Sequence, residues 1–111
     1  MDQIEIPQSV RVAIELRVAN LPTFTQDILR AAAILGREFE FEVLRAMGGL
    51  DEESLIEALE IAERAQFIGA IKRSEEISFA FAHALIPLTL REGLSALRRQ
   101  RIHWRAAQAI E

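Results

Sequence analysis

The chain has 111 residues, half of them apolar and 27% charged, which suits one globular domain rather than two and is globular rather than disordered. It contains no cysteine, so a disulfide framework and a thiolate metal site are excluded. Its formal net charge of −4 argues against a free-standing nucleic-acid binder, which is usually basic. No run approaches the roughly 20 apolar residues of a membrane span. The opening MDQIEIPQ lacks the basic and apolar regions of a signal peptide. A cytoplasmic protein with no membrane partner is expected.

Taken in chain order, the pattern predicts helices first. Ser9, just after Pro7, is the expected cap of a helix running to about Leu21, with Val10, Ile14, Val18 and Leu21 on one stripe. Pro22 stops it, and Thr23 is the expected cap of the next helix, which turns Phe24, Ile28, Ala31, Ala32 and Leu35 inward. Gly36 supplies its C-terminal stop. The short piece Arg37 to Phe41 is long enough to touch a sheet. A helix from about Glu40 to Met47 follows, with Phe41, Leu44 and Met47 inward and Gly48-Gly49 ending it.

Asp51 opens a longer helix. Three acids in its first turn suit the positive end of the helix dipole. Leu55, Ile56, Leu59 and Ala62 form its buried stripe, and it ends near Ala65-Gln66. Phe67 to Ile71 reads as a strand, Lys72 to Glu76 as a polar connection, and Ile77 to Ala82 as a second strand. In that second strand Ile77, Phe79 and Phe81 alternate with Ser78, Ala80 and Ala82, the period of a strand with one face in a core. The alternation stops at His83. From there Leu85, Ile86, Leu90 and Leu94 recur at helical spacing, so His83 stands at a strand-to-helix junction. Pro87 is tolerated only in the first turn of that helix. Ser95 is the expected cap of a last helix, whose Leu97, Ile102, Ala106, Ala109 and Ile110 form a stripe open at Glu111.

The expected fold is mainly α: a winged helix-turn-helix with a two-stranded β-hairpin wing, followed by C-terminal helices leading toward a helical-repeat array. The expected division is an N-terminal helix (1–22), a winged-helix core (23–82) and the C-terminal helices (83–111).

Charge is unevenly spread. Asp51 to Glu63 holds six acids and no base, and Arg91 to Arg105 holds five arginines and one acid, Glu92. The acidic helix occupies the recognition position of the winged helix. Affinity for DNA comes chiefly from phosphate contact and needs positive charge, so DNA binding by this helix is disfavoured. His103 and Trp104 lie among the arginines of the last helix. One aromatic there is better read as packing against the wing or a following helix than as a stacking platform for single-stranded nucleic acid. No Ser/His/Asp set has interpretable spacing, and His83 and His103 lack acids at metal-ligand spacing. No catalytic residue and no metal site is expected.

Five strings in this order resemble one family: IPQSVRVAIELRVANL (Ile6 to Leu21), AAAILGREFEFEVL (Ala31 to Leu44), ALEIAERAQFIGAI (Ala58 to Ile71), FAFAHALI (Phe79 to Ile86) and RRQRIHWRAAQAIE (Arg98 to Glu111). The set is similar to the segment that follows the nucleotide-binding core in bacterial STAND signal-transduction ATPases, which often carry a cyclase or a LuxR-type output domain. The resemblance implies a winged-helix module packed on an ATPase core, with its last helix leading into a sensing array. It implies that His83 approaches the phosphates of ADP bound to the parent protein and holds a closed, inactive state. A histidine can donate a hydrogen bond to a phosphate oxygen, and a charge-assisted bond is stronger than a neutral one.

The sequence departs from the family pattern at Pro87, Leu88 and Arg91, where an arginine, a polar residue and an aromatic residue are expected. The phosphate-binding pattern GxxxxGK[ST] is absent, so ATP or ADP belongs to the parent protein and the isolated domain needs no cofactor. The expected partners are therefore the nucleotide-binding core and the helical-repeat domain of the same chain. The acidic helix opened by Asp51 and the arginine-rich segment with Arg98, Arg99, Arg101, Arg105 and Trp104 are the expected docking surfaces, with apolar contact along Ile102, Ala106 and Ile110. The runner-up is the DNA-binding winged helix of a transcription regulator.

Overall fold

The computed structural model describes residues 6–48, 51–73 and 75–110. Gly49, Ser74 and Glu111, which enter the sequence readings above, lie outside the described residues.

The first helix, α1 (Gln8–Ala19), is entered from Pro7, whose carbonyl accepts the first helical bond from the Arg11 N–H at 3.0 Å. Ser9 is therefore inside the first turn and is not the cap. Pro7 takes the cap position with its φ already set, and no side chain caps this first turn. The same substitution occurs at α2 (Thr23–Leu35). Pro22 accepts from the Gln26 N–H, and Thr23 is the first helical residue rather than the cap. Ile14 and Val18 are the buried residues of α1, and Leu21 packs half-buried against the core beyond its end.

Gly36 ends α2 at φ 125° and ψ −168°, a conformation that only glycine adopts readily. The chain then turns into β1 (Glu38–Glu40) and at once into α3 (Phe41–Ala46), so Glu40 is strand and cap rather than helix. Here the structure corrects the two-stranded wing. β1 pairs antiparallel with β3 (Glu76–Phe81), which also pairs with β2 (Ile68–Arg73), giving a three-stranded antiparallel sheet in the order β1-β3-β2. Phe39 is the reason a three-residue strand holds its place. Its ring stacks on Phe79 at 5.7 Å and tilts against Phe81 at 5.6 Å, offset geometries that suit aromatic quadrupoles.

The helix α4 (Glu52–Arg64) starts at Asp51, whose carboxylate accepts from the Ser54 N–H at 3.1 Å and the Ser54 hydroxyl at 2.7 Å. Those two bonds, the hydroxyl first, hold the Asp51 carboxyl below the ordinary aspartate range. At the other end Gln66 sits in the left-handed region at φ 68°. Its N–H reaches the Glu63 carbonyl, and the Phe67 N–H reaches back to the Ala62 carbonyl. This is a Schellman ending, with glutamine where glycine is usual. Phe67, expected as strand, is instead its closing residue and is buried in the core.

The strands run further toward their connection than the polar run Lys72 to Glu76 suggests, with Lys72 opposite Ile77 and Arg73 opposite Glu76. Ile77 is correspondingly 54% exposed, while Ser78, Phe79 and Phe81 are buried. The expected inward place of Ile77 is wrong because that end of the hairpin projects past the helices that cover Phe79 and Phe81.

After β3 the chain bends at Ala82-His83. The helix α5 (Leu85–Glu92) begins two residues later than expected, with the Ile86 N–H donating to the His83 carbonyl. Pro87 lies in its first turn, as its chemistry requires. Ser95 Oγ accepts from the Arg98 N–H at 3.2 Å and caps α6 (Ala96–Ile110). One core joins the buried faces of all six helices and the sheet. α2 is central to it, packing against α4, α5 and α6. No described helix is long and apolar enough to cross a membrane.

Candidate interaction surface

His83 is exposed at the bend between β3 and α5. What holds it there is the scaffold on either side. The Ala82 N–H donates to the Phe67 carbonyl, which pins the end of β3 beside the start of β2. Ile86 and Leu90 bury the inner face of α5. The three positions that depart from the family pattern belong to this anchoring. Pro87 is buried, Leu88 is half-buried, and Arg91 donates to the Ala33 carbonyl at 2.7 Å. Ala33 lies in the last turn of α2, where carbonyls lack helical partners, so Arg91 satisfies an otherwise orphaned group. A second tie, between Arg11 and Glu92, joins α1 to the end of α5.

The basic residues of α6 divide between faces. Ile102 and Ala106 are buried against the core, with Ala109 half-buried beside them. The expected open apolar stripe is therefore already covered by this chain's own helices, which corrects the docking role given to Ile102 and Ala106. At 3.6 residues per turn, Leu97 and Trp104 stand on the opposite side of α6. They are 62% and 61% exposed, as is Ile110 at 67%. Leu97 and Ile110 are thus not in the buried stripe, and Trp104 is not buried against the β2–β3 hairpin. Arg101 lies beside Leu97 and Trp104. Arg98 and Arg105 occupy the flank between that outer face and the buried one. Arg99 is half-buried on the other flank and stands apart from the row.

Arg98 and Arg105 form one wall of a half-open cleft of about 730 Å³. Its floor is apolar, made by Ile28, Leu44, Leu94 and Ile102, and its far wall carries Arg30 and Asp27 of α2. Neither Arg30 nor the cleft was legible in the sequence, because the cleft exists only where α2, the end of α3 and the α5–α6 turn converge. His83, Arg101 and Trp104 do not line it.

The acids of α4 face away from the core. Glu53, Glu57 and Glu60 form an exposed row, flanked by the half-buried Ile56 and Ile61. Among the described residues, none of Glu53, Glu57, Glu60, Arg98, Arg101 and Arg105 has an ion-pair partner. No cluster of His, Asp or Glu able to hold a metal ion occurs among the described residues.

Set against known proteins, the chain is matched by no family model, no curated protein and no solved structure.

Proposed function

We propose that this chain is a regulatory winged-helix module of a STAND-type signalling ATPase, coupling the nucleotide state of an adjacent core to sensor or output regions through protein–protein contacts. The order α2-α3-α4 followed by the β2–β3 hairpin supports a winged-helix arrangement, with β1 as an added edge strand. The observation that carries the functional reading is the place of His83. It is exposed on a bend whose two flanks are fastened to the core, so its ring can meet a ligand held by a neighbouring domain. In the parent protein its task is to hold ADP through a phosphate contact. This domain is then non-catalytic by itself, and ATP or ADP is bound by the core.

The test is made in the intact ATPase. His83→Ala should release ADP faster and raise basal signalling. Unchanged ADP retention removes the sensor role. The arginines of α6 are the docking surface toward the rest of the chain in this reading, and Arg98→Glu with Arg101→Glu should weaken capture of the separately expressed core. DNA binding through α4 is the weaker alternative, because the row Glu53, Glu57 and Glu60 would face the phosphates.

A further inference from the structure

The two charged rows of the surface match each other. Along α4 the acids stand at Glu53, Glu57 and Glu60, separated by four and then three residues. Along α6, read in reverse, the arginines stand at Arg105, Arg101 and Arg98, separated by four and then three. Both rows are exposed, each spans about 10 Å at 1.5 Å per residue, and neither is neutralised within the described chain. We propose that α4 of one copy lies antiparallel on α6 of a second copy, with Glu53, Glu57 and Glu60 facing Arg105, Arg101 and Arg98.

Exposed ion pairs contribute little by themselves, so the flanks decide whether such a contact holds. On α6 the arginine row runs between the apolar-floored cleft and the exposed pair Leu97 and Trp104. On α4 the acid row runs between Ile56 and Ile61. Stacking the rows sets one isoleucine over the cleft and the other against Leu97 and Trp104. Apolar surface is then covered on both sides of the ion pairs, and water is displaced from around them. Each copy owns both rows, so a copy can offer α4 to one neighbour and α6 to the same or another neighbour. A single strand of nucleic acid would also find arginines and an aromatic on α6. It would be repelled by a net charge of −4 and would have no use for the acids of α4.

The proposal goes beyond the regulatory reading and shares with it only the surface of α6. The experiment is sedimentation equilibrium on the whole chain, from about 10 to 500 µM, at about 50 mM and about 500 mM NaCl. Wild type should exceed its 12.5 kDa monomer mass at low salt. High salt should weaken the association at least about tenfold, because screening acts on exposed charges. The charge-reversed variants E53K/E57K/E60K and R98E/R101E/R105E should each stay monomeric. An equimolar mixture of the two should associate again, because each variant's rows then meet their opposites. The single substitutions Glu57→Lys and Arg101→Glu, made in separate chains and then mixed, give the same readout with less change to either helix. Three results overturn the proposal: a monomeric wild type at every concentration, either triple variant associating like wild type, or a mixture that fails to associate. A monomeric wild type would leave core docking by α6 untouched, since capture of the core reads that separately.

Discussion

Replacing Phe39 with alanine tests the feature of the fold that departs most from the sequence expectation. Phe39 is 4% exposed and sits between the rings of Phe79 and Phe81. Truncating a buried phenylalanine costs about 3–5 kcal/mol through lost transfer energy and the cavity left behind. The two ring contacts contribute within that figure, at about 0.5–1.5 kcal/mol each. Because β1 is a three-residue edge strand that can partly collapse onto the gap, the expected loss is at the low end, about 3 kcal/mol. That is a large part of the roughly 5–15 kcal/mol that holds a domain of this size together.

At about 4 °C per kcal/mol the melting temperature should fall by about 12 °C. Urea and thermal unfolding followed by far-UV circular dichroism give the value. Ile77→Thr is the paired control. Ile77 is 54% exposed, so the change should stay within about 0.5 kcal/mol. A loss below about 1 kcal/mol for Phe39→Ala would refute β1 as a packed member of the sheet. Ile77 shares its strand face with Phe79 and Phe81, so a loss for Ile77→Thr as large as that for Phe39→Ala would mean that the core extends over that end of the hairpin.

Two further changes probe the joints. Gln66→Gly should raise stability by about 1 kcal/mol in the same unfolding assay, because the left-handed backbone at φ 68° strains glutamine and suits glycine. A destabilised glycine variant would show that the Gln66 side chain contributes more than its backbone strain takes away. Arg91→Ala should cost about 1–2 kcal/mol by leaving the Ala33 carbonyl without its charged donor. Arg91→Leu, which restores apolar contact but not the bond, should recover little. Full recovery by leucine would assign the loss to packing.

Local chemistry made much of this molecule legible. Asp51 and Ser95 cap α4 and α6 as their side chains require, because a cap needs only residues three positions away. Gly36 and Pro87 stand where their backbone limits demand. The stripe Leu55–Leu59–Ala62 was readable because helical periodicity declares a buried face without naming its partner, whereas in α2 the expected set Phe24, Ile28, Ala31, Ala32 and Leu35 found Ile28 and Ala32 but missed the buried Leu29 and Ala33. The expected strand pair was present, and the junction character of His83 followed from the change of period at that residue.

What only the tertiary structure decided depends on neighbours distant in sequence. Whether Ile77 is inside or outside depends on how far the hairpin outreaches the helices, which alternation does not encode. The third strand depends on Phe39 finding Phe79 and Phe81 about forty residues away. The apolar stripe of α6 looked open in sequence and proved to be covered by α2 and α3. This moved the exposed surface to Leu97, Arg101 and Trp104. The cleft beside it belongs to no single segment. Periodicity and capping act over a few residues along one helix, whereas pockets, partners and the sorting of charges onto faces arise only when separate elements pack.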